Sequence, residues 1–193
     1  MRRAAITALA LLAAGCGSAG AAEYLALSFG AYRSAPVLVT HFAIEKPLAP
    51  TPEMVVSGAA ENAVPRTSGS SAISLPRDAG GDGKWTISAQ WIELQSGRAY
   101  RADLPVPISA LSEVSRAAEL NVIFGPNGLM IIGSDKPGNQ PSARVDLVAG
   151  CGDRAPRSDR AWGKETGRFP QLPQIRQHMR PVPAKTICPA PAR

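Results

Sequence analysis

Between Lys84 and Val106 apolar and polar residues alternate with a period of two, the pattern of half-buried β-strands. Trp85, Ile87, Ala89 and Trp91 share one side of the first stretch, against Lys84, Thr86, Ser88 and Gln90. Tyr100, Ala102, Leu104 and Val106 share one side of the second, against Arg101 and Asp103. Gln95-Ser96-Gly97-Arg98 turns the chain between them, so the two stretches make a hairpin whose apolar face needs a second layer to cover it. Ile92 and Leu94 move the apolar positions by one residue, which predicts a β-bulge.

The surrounding chain reads in the same terms. Tyr24 to Ala31 and Val37 to Ile44 are strands separated by Arg33-Ser34-Ala35-Pro36, with Leu38, Phe42 and Ile44 on one face of the second. Residues 47–71 are loop-like, apart from the short apolar piece Met54-Val55-Val56. Ala72 to Leu75 is a short strand ended by Pro76, and Asp78 to Gly83 is a turn. From Pro107 to Leu120 the period changes: Ile108, Leu111, Val114 and Ala118 line a helical stripe, with Ser109 as its N-cap. Asn121 to Phe124 and Leu129 to Ile132 flank Gly125-Pro126-Asn127-Gly128, whose Asn-Gly pair marks a hairpin. Arg144 to Ala149 is a further strand, and the prolines and arginines beyond Cys151 argue against regular structure. The expected fold class is α+β, mainly β: an antiparallel sheet or sandwich of about seven or eight strands with one helix.

The N-terminus predicts an export signal over residues 1–22: Arg2 and Arg3, an apolar run from Ala4 to Ala14, then small residues. That run is shorter than the ~20 residues a membrane-spanning helix needs. Leu11-Leu12-Ala13-Ala14-Gly15-Cys16 resembles a bacterial lipobox, which makes Cys16 the site of lipidation and the membrane anchor. Gly17 in place of an aspartate is associated with onward sorting to the outer membrane. Cleavage at Ala19-Gly20-Ala21, which discards Cys16, is the alternative. The expectation is a protein of the periplasm anchored to the outer membrane, with a β-rich domain over 23–150 and a basic, Pro-rich tail over 151–193.

Cys151 and Cys188 then remain as an even pair, and an oxidising compartment favours a disulfide between them that pins the tail; two unpaired thiols are the alternative. The formal charge of +6 falls to +4 without Arg2 and Arg3, and residues 151–193 carry nine Lys/Arg against three Asp/Glu. Such a tail suits anionic headgroups or an acidic partner, or is a solvated surface; nucleic acid is not an expected partner of an exported chain.

Catalytic signals are sparse. No G-x-S-x-G elbow, H-E-x-x-H helix, P-loop or S-x-x-K is present. His41 sits on a strand beside Val37, Val39 and Ala43 and reads as structural; His178 lies in the tail without a visible partner. Glu93 and Asp103, if close across the hairpin, suggest a glycosidase-like pair, though two solvated strand residues is the plainer reading. Gly80-Gly81-Asp82-Gly83 lacks the ligands a calcium loop needs. Trp85, Trp91 and Tyr100 read as sheet core ahead of a sugar-stacking platform. The residues therefore name no catalytic group, no metal and no cofactor.

The run from Trp85 to Trp91, the turn and Tyr100-Arg101-Ala102-Asp103-Leu104-Pro105 form half of a wider pattern. Asn121 to Gly133, followed by Val145-Asp146-Leu147, forms the other half. Together they resemble the DUF2931 type of proteobacterial lipoproteins, a domain of unknown function. Members of such families are often encoded beside secreted antibacterial toxins, notably phospholipase effectors of the type VI system. The resemblance implies a periplasmic immunity protein that binds and blocks a secreted effector; a structural or accessory outer-membrane lipoprotein and an unrecognised periplasmic hydrolase are the other readings.

Overall fold

The computed structural model describes residues 22–32, 35–57, 60, 71–135, 144–160, 174, 177, 188 and 189. Their strands are β1 (Tyr24–Ala31), β2 (Val37–Ile44), β3 (Pro50–Val56), β4 (Ser71–Ser74), β5 (Lys84–Glu93) and β6 (Ala99–Pro107). After these come β7 (Glu113–Val114), β8 (Ala117–Gly125), β9 (Leu129–Asp135), β10 (Arg144–Cys151) and β11 (Asp153–Arg154). One sheet runs β10-β9-β8-β1-β4, with β7 paired to β8; the other runs β11-β6-β5-β2-β3. The mainly-β expectation holds, with more strands than expected and the chain divided between two sheets.

The two sheets share one interior. Leu25 and Leu27 of β1, Leu120, Val122 and Phe124 of β8 and Met130 and Ile132 of β9 pack with Val37 and Val39 of β2 and with the alternating apolar residues of β5 and β6. The hairpin pairs in unbroken register, Trp85 opposite Val106 and Trp91 opposite Tyr100. These aromatics are almost completely buried, with Trp91 stacked on Tyr100 at 6.1 Å and tilted against Phe124 at 5.0 Å. They form core, not a surface platform.

The helix expected over 107–120 is replaced by a short 3-10 turn at Ile108–Ala110, then β7, then a two-residue turn into β8. Ser115 and Arg116 in that turn have φ of 52° and 68°, the left-handed pair that matches the twist of a tight hairpin. Long-range pairing overrides the helical spacing. β8 lies parallel to β1 over eight residue pairs, Tyr24↔Ala117 to Ala31↔Phe124, and is buried on both faces except at half-buried Glu119. This parallel pair also departs from an all-antiparallel sheet.

The expected bulge lies on a different strand. Val39 pairs with Trp91 and His41 with Gln90, so Thr40 is the extra residue, on β2. The bulge moves the inward face from Val37 and Val39 to Phe42 and Ile44, which leaves Leu38 on the opposite side, contrary to the expected shared face. Ile92 and Leu94 keep their parity; they are buried because the outer face is covered there too, by Leu38, Ala99, Val55 and Ala155. Met54-Val55-Val56 closes β3, a longer strand than the apolar piece suggested.

Residues 152–160 pack onto the second sheet. Gly152 carries the chain from β10 of one sheet to β11 of the other, where Asp153 and Arg154 pair with Arg101 and Tyr100. The expectation of irregular structure from Cys151 onward fails here, since the open edge of β6 offers backbone partners that arginines accept as readily as any residue.

Candidate functional site

The strongest cluster of interacting polar groups gathers where the β5–β6 turn meets the β8–β9 turn. Glu93 ends β5 on the same parity as Trp91, so its side chain enters the interior and is buried. One carboxylate oxygen accepts the Gly128 N–H at 2.9 Å and the other accepts the Ser96 hydroxyl at 2.8 Å. Glu93 thereby ties a turn of one sheet to a turn of the other. Burial pushes its pKa up; Ser96, the Gly128 and Asn127 amides and the Arg98 charge pull the other way. Tyr100 lies beside it, and its phenol is also pushed up, by burial first and by the Glu93 charge second.

The segment after β11 closes over this corner. The Arg154 guanidinium sits 5.1 Å from the centre of the Tyr100 ring, donates to the Ala99 carbonyl and pairs with Asp159 at 2.7 Å. Asp159 also accepts the Ala99 N–H at 2.7 Å, and Arg154 holds its carboxyl below the ordinary range. The Arg160 amide donates to the Gly97 carbonyl, and its side chain pairs with Glu53 of β3 at 3.1 Å. Both carboxylate oxygens of Glu93 are occupied and its walls are packed, so the arrangement holds two turns in place; contact with a substrate would require opening it.

The raised pKa of Glu93 has a definite sign for stability. Between its unfolded value, near 4.5, and its higher folded value, the native state binds the extra proton, so this group's contribution falls as pH rises through that window and is constant above it. Glu93→Gln keeps an acceptor for the Gly128 N–H, and the Ser96 hydroxyl can rotate to accept from the new amide. The variant is expected to match wild type within about 1 kcal/mol at pH 7 and to lack this component of the pH dependence. Urea unfolding of both proteins across pH 4 to 8 measures it; an identical pH dependence in the two would refute the assignment.

The glycosidase-like pair does not form. Asp103 lies on the opposite, outward parity of β6, opposite Ser88, where it pairs with Arg101 at 3.5 Å. Glu93 is five residues further along β5, roughly 16 Å away at strand rise. In the glycine-rich turn both oxygens of Asp78 accept backbone amides, from Gly81 and Gly83 at 2.7 Å each, so this carboxylate builds the loop. His41 contacts Thr40 at 3.0 Å and Gln90 at 3.4 Å, a half-buried polar cluster on the outer face that Ser158 joins through Gln90 at 3.2 Å. Among the described residues, no group of three His, Cys, Asp or Glu is placed to hold a metal ion, and no helix is long and apolar enough to cross a membrane.

Cys151 and Cys188 stand as a disulfide, with Cα atoms 5.5 Å apart. Cys188 is buried with Ile123, Leu129 and Ile131 on the outer face of β8 and β9. Cys16 and His178 lie outside the described residues. The buried group that sequence reasoning placed in solvent is Glu93, and strand parity was the signal that could have placed it correctly. A second polar group, Ser28, Asn121 and Asp135, is buried on the outer face of β1, β8 and β9; Ser28 bonds Asn121, and the Asn121 amide donates to Asp135 at 3.3 Å. No family model, no curated protein and no solved structure matches this chain.

Proposed function

We propose that the chain is an envelope-located binding protein that works by surface complementarity, and that it serves as an immunity protein against a secreted antibacterial effector. The observation that carries the location is the Cys151–Cys188 pair at disulfide distance, which suits an oxidising compartment. It supports the periplasm as the site of action, with lipidated Cys16 as the membrane anchor. The mode of action is supported by the use made of the carboxylates: Glu93, Asp78 and Asp159 hold backbone amides in place and so stiffen the loops at the ends of the sandwich. Stiff loops on a sheet scaffold bind a protein partner with little loss of conformational freedom.

Co-expression tests the reading. Cells exporting a candidate effector to the periplasm are expected to regain the plating efficiency of toxin-free cells when they also export this chain. A chain lacking residues 2–22 is expected to give no protection. Failure to protect against any effector encoded near the gene would sink the proposal.

A further inference from the structure

Among the described residues, five strands have an open edge, and four of them are blunted. β3 carries Pro50 and Pro52, which lack an N–H, and Glu53 pairs with Arg160. β10 presents Arg144 and Asp146, paired with each other at 2.6 Å, and the chain leaves it through Gly152 straight into the other sheet. β7 and β11 have only two residues each, and both carry charge. β4 differs: Ser71-Ala72-Ile73-Ser74 has no charge and no proline, and every residue is exposed. Among the described residues nothing pairs with the side of β4 that faces away from β1. Ile73 is one of two exposed large hydrophobic residues among those described, at 37%. An open, uncharged edge of this kind is a template for another strand.

We infer that the occupant of this edge is β4 of a second copy, in an antiparallel pair that continues the sheet from one molecule into the next. The register within the chain sets the geometry. Ile73 lies opposite Leu25, an interior residue, so Ile73 and Ser71 are on the inner face and Ala72 and Ser74 on the outer. A twofold axis perpendicular to the sheet, midway between the two Ile73 residues, pairs Ile73 with Ile73 of the second copy and Ala72 with its Ser74. Directly opposed residues of antiparallel strands point to the same face, and this pairing satisfies that on both faces. The row Leu25–Ile73 then runs on through its own copy, with no like charges opposed. The contact is isologous and closes at two copies. A ladder of three β4 residues from each copy buries well under the ~1,000 Å² of a stable interface, so the dimer is reversible.

Sedimentation velocity on the full chain carrying Cys16→Ser, which removes any acyl-driven association, tests this from about 10 μM to 1 mM. Wild-type β4 is expected to give a concentration-dependent monomer–dimer equilibrium. Ala72→Lys/Ser74→Lys places like charges opposite one another and is expected to weaken it about tenfold or more, as is Ala72→Glu/Ser74→Glu. Both positions are exposed, and an equimolar mixture of the two variants is expected to restore the dimer. A monomer across the whole range, a dimer indifferent to both variants, or a mixture that stays monomeric overturns the inference.

Discussion

Replacing Cys151 and Cys188 together by alanine is expected to lower the unfolding free energy by about 4 kcal/mol. The two residues are 37 positions apart, so the bond closes a loop of moderate length in the unfolded chain and removes the corresponding entropy. Native contacts add to this. Cys188 is buried with Ile123, Leu129 and Ile131, and the Asn127 side-chain amide donates to its carbonyl at 3.4 Å. Without the bond, ordering residue 188 against that apolar face depends on these contacts alone. Urea titration with and without a thiol reductant measures the effect, and the slope against urea is expected to rise because the uncrosslinked unfolded chain exposes more surface. A loss below about 1 kcal/mol would show that the unfolded chain is already compact enough to make the crosslink redundant.

The parts of this fold that were readable in the sequence are those whose cause is local. β5 and β6 announce themselves because each has one face in the interior, and Asn127-Gly128 because a tight hairpin needs two left-handed residues: their φ values are 59° and 81°. The failures share a non-local cause. Only the first residues of β8, 117–120, carry helical spacing, because Leu111, Val114 and Ala118 recur at that interval, while the strand that makes them extended, β1, lies some ninety residues earlier. Leu38 falls on the face opposite Phe42 and Ile44 because of the bulge at Thr40, which nothing local to β2 marks; the register with β5 sets it.

The site divides in the same way. The inward direction of Glu93 follows from its parity with Trp91; Ile92 and Leu94 obscure it by suggesting a change of face, because both faces are covered there. Its partner amide, at Gly128, is 35 residues away and belongs to the other sheet. Sequence spacing holds no record of that contact. The clasp formed by Arg154 and Asp159 was hidden in a stretch whose composition alone suggested a loose tail.

Gly128→Ala is expected to destabilise by about 3 kcal/mol, lowering the melting temperature by roughly 6–12 °C in a chain of this size. Two effects combine. Gly128 has a φ of +81°, where a side chain costs about 1 kcal/mol. A Cβ there would also lie 2.4 Å from Cδ1 of Tyr100, and the ring has no room to retreat: Trp91 stacks against it and Arg154 sits over it. The turn must yield instead, and the Gly128 N–H moves with it. Glu93 then loses its backbone donor while remaining buried, so its folded pKa rises further and the pH-dependent loss of stability extends to higher pH. A double-mutant cycle with Tyr100→Leu separates the two effects. With the ring gone, only the backbone part should remain, leaving a coupling of about 1–2 kcal/mol. If Gly128→Ala costs the same beside Leu as beside Tyr, the contact with the ring is not what requires glycine. If the pH dependence is also unchanged, Glu93 does not draw its support from this turn.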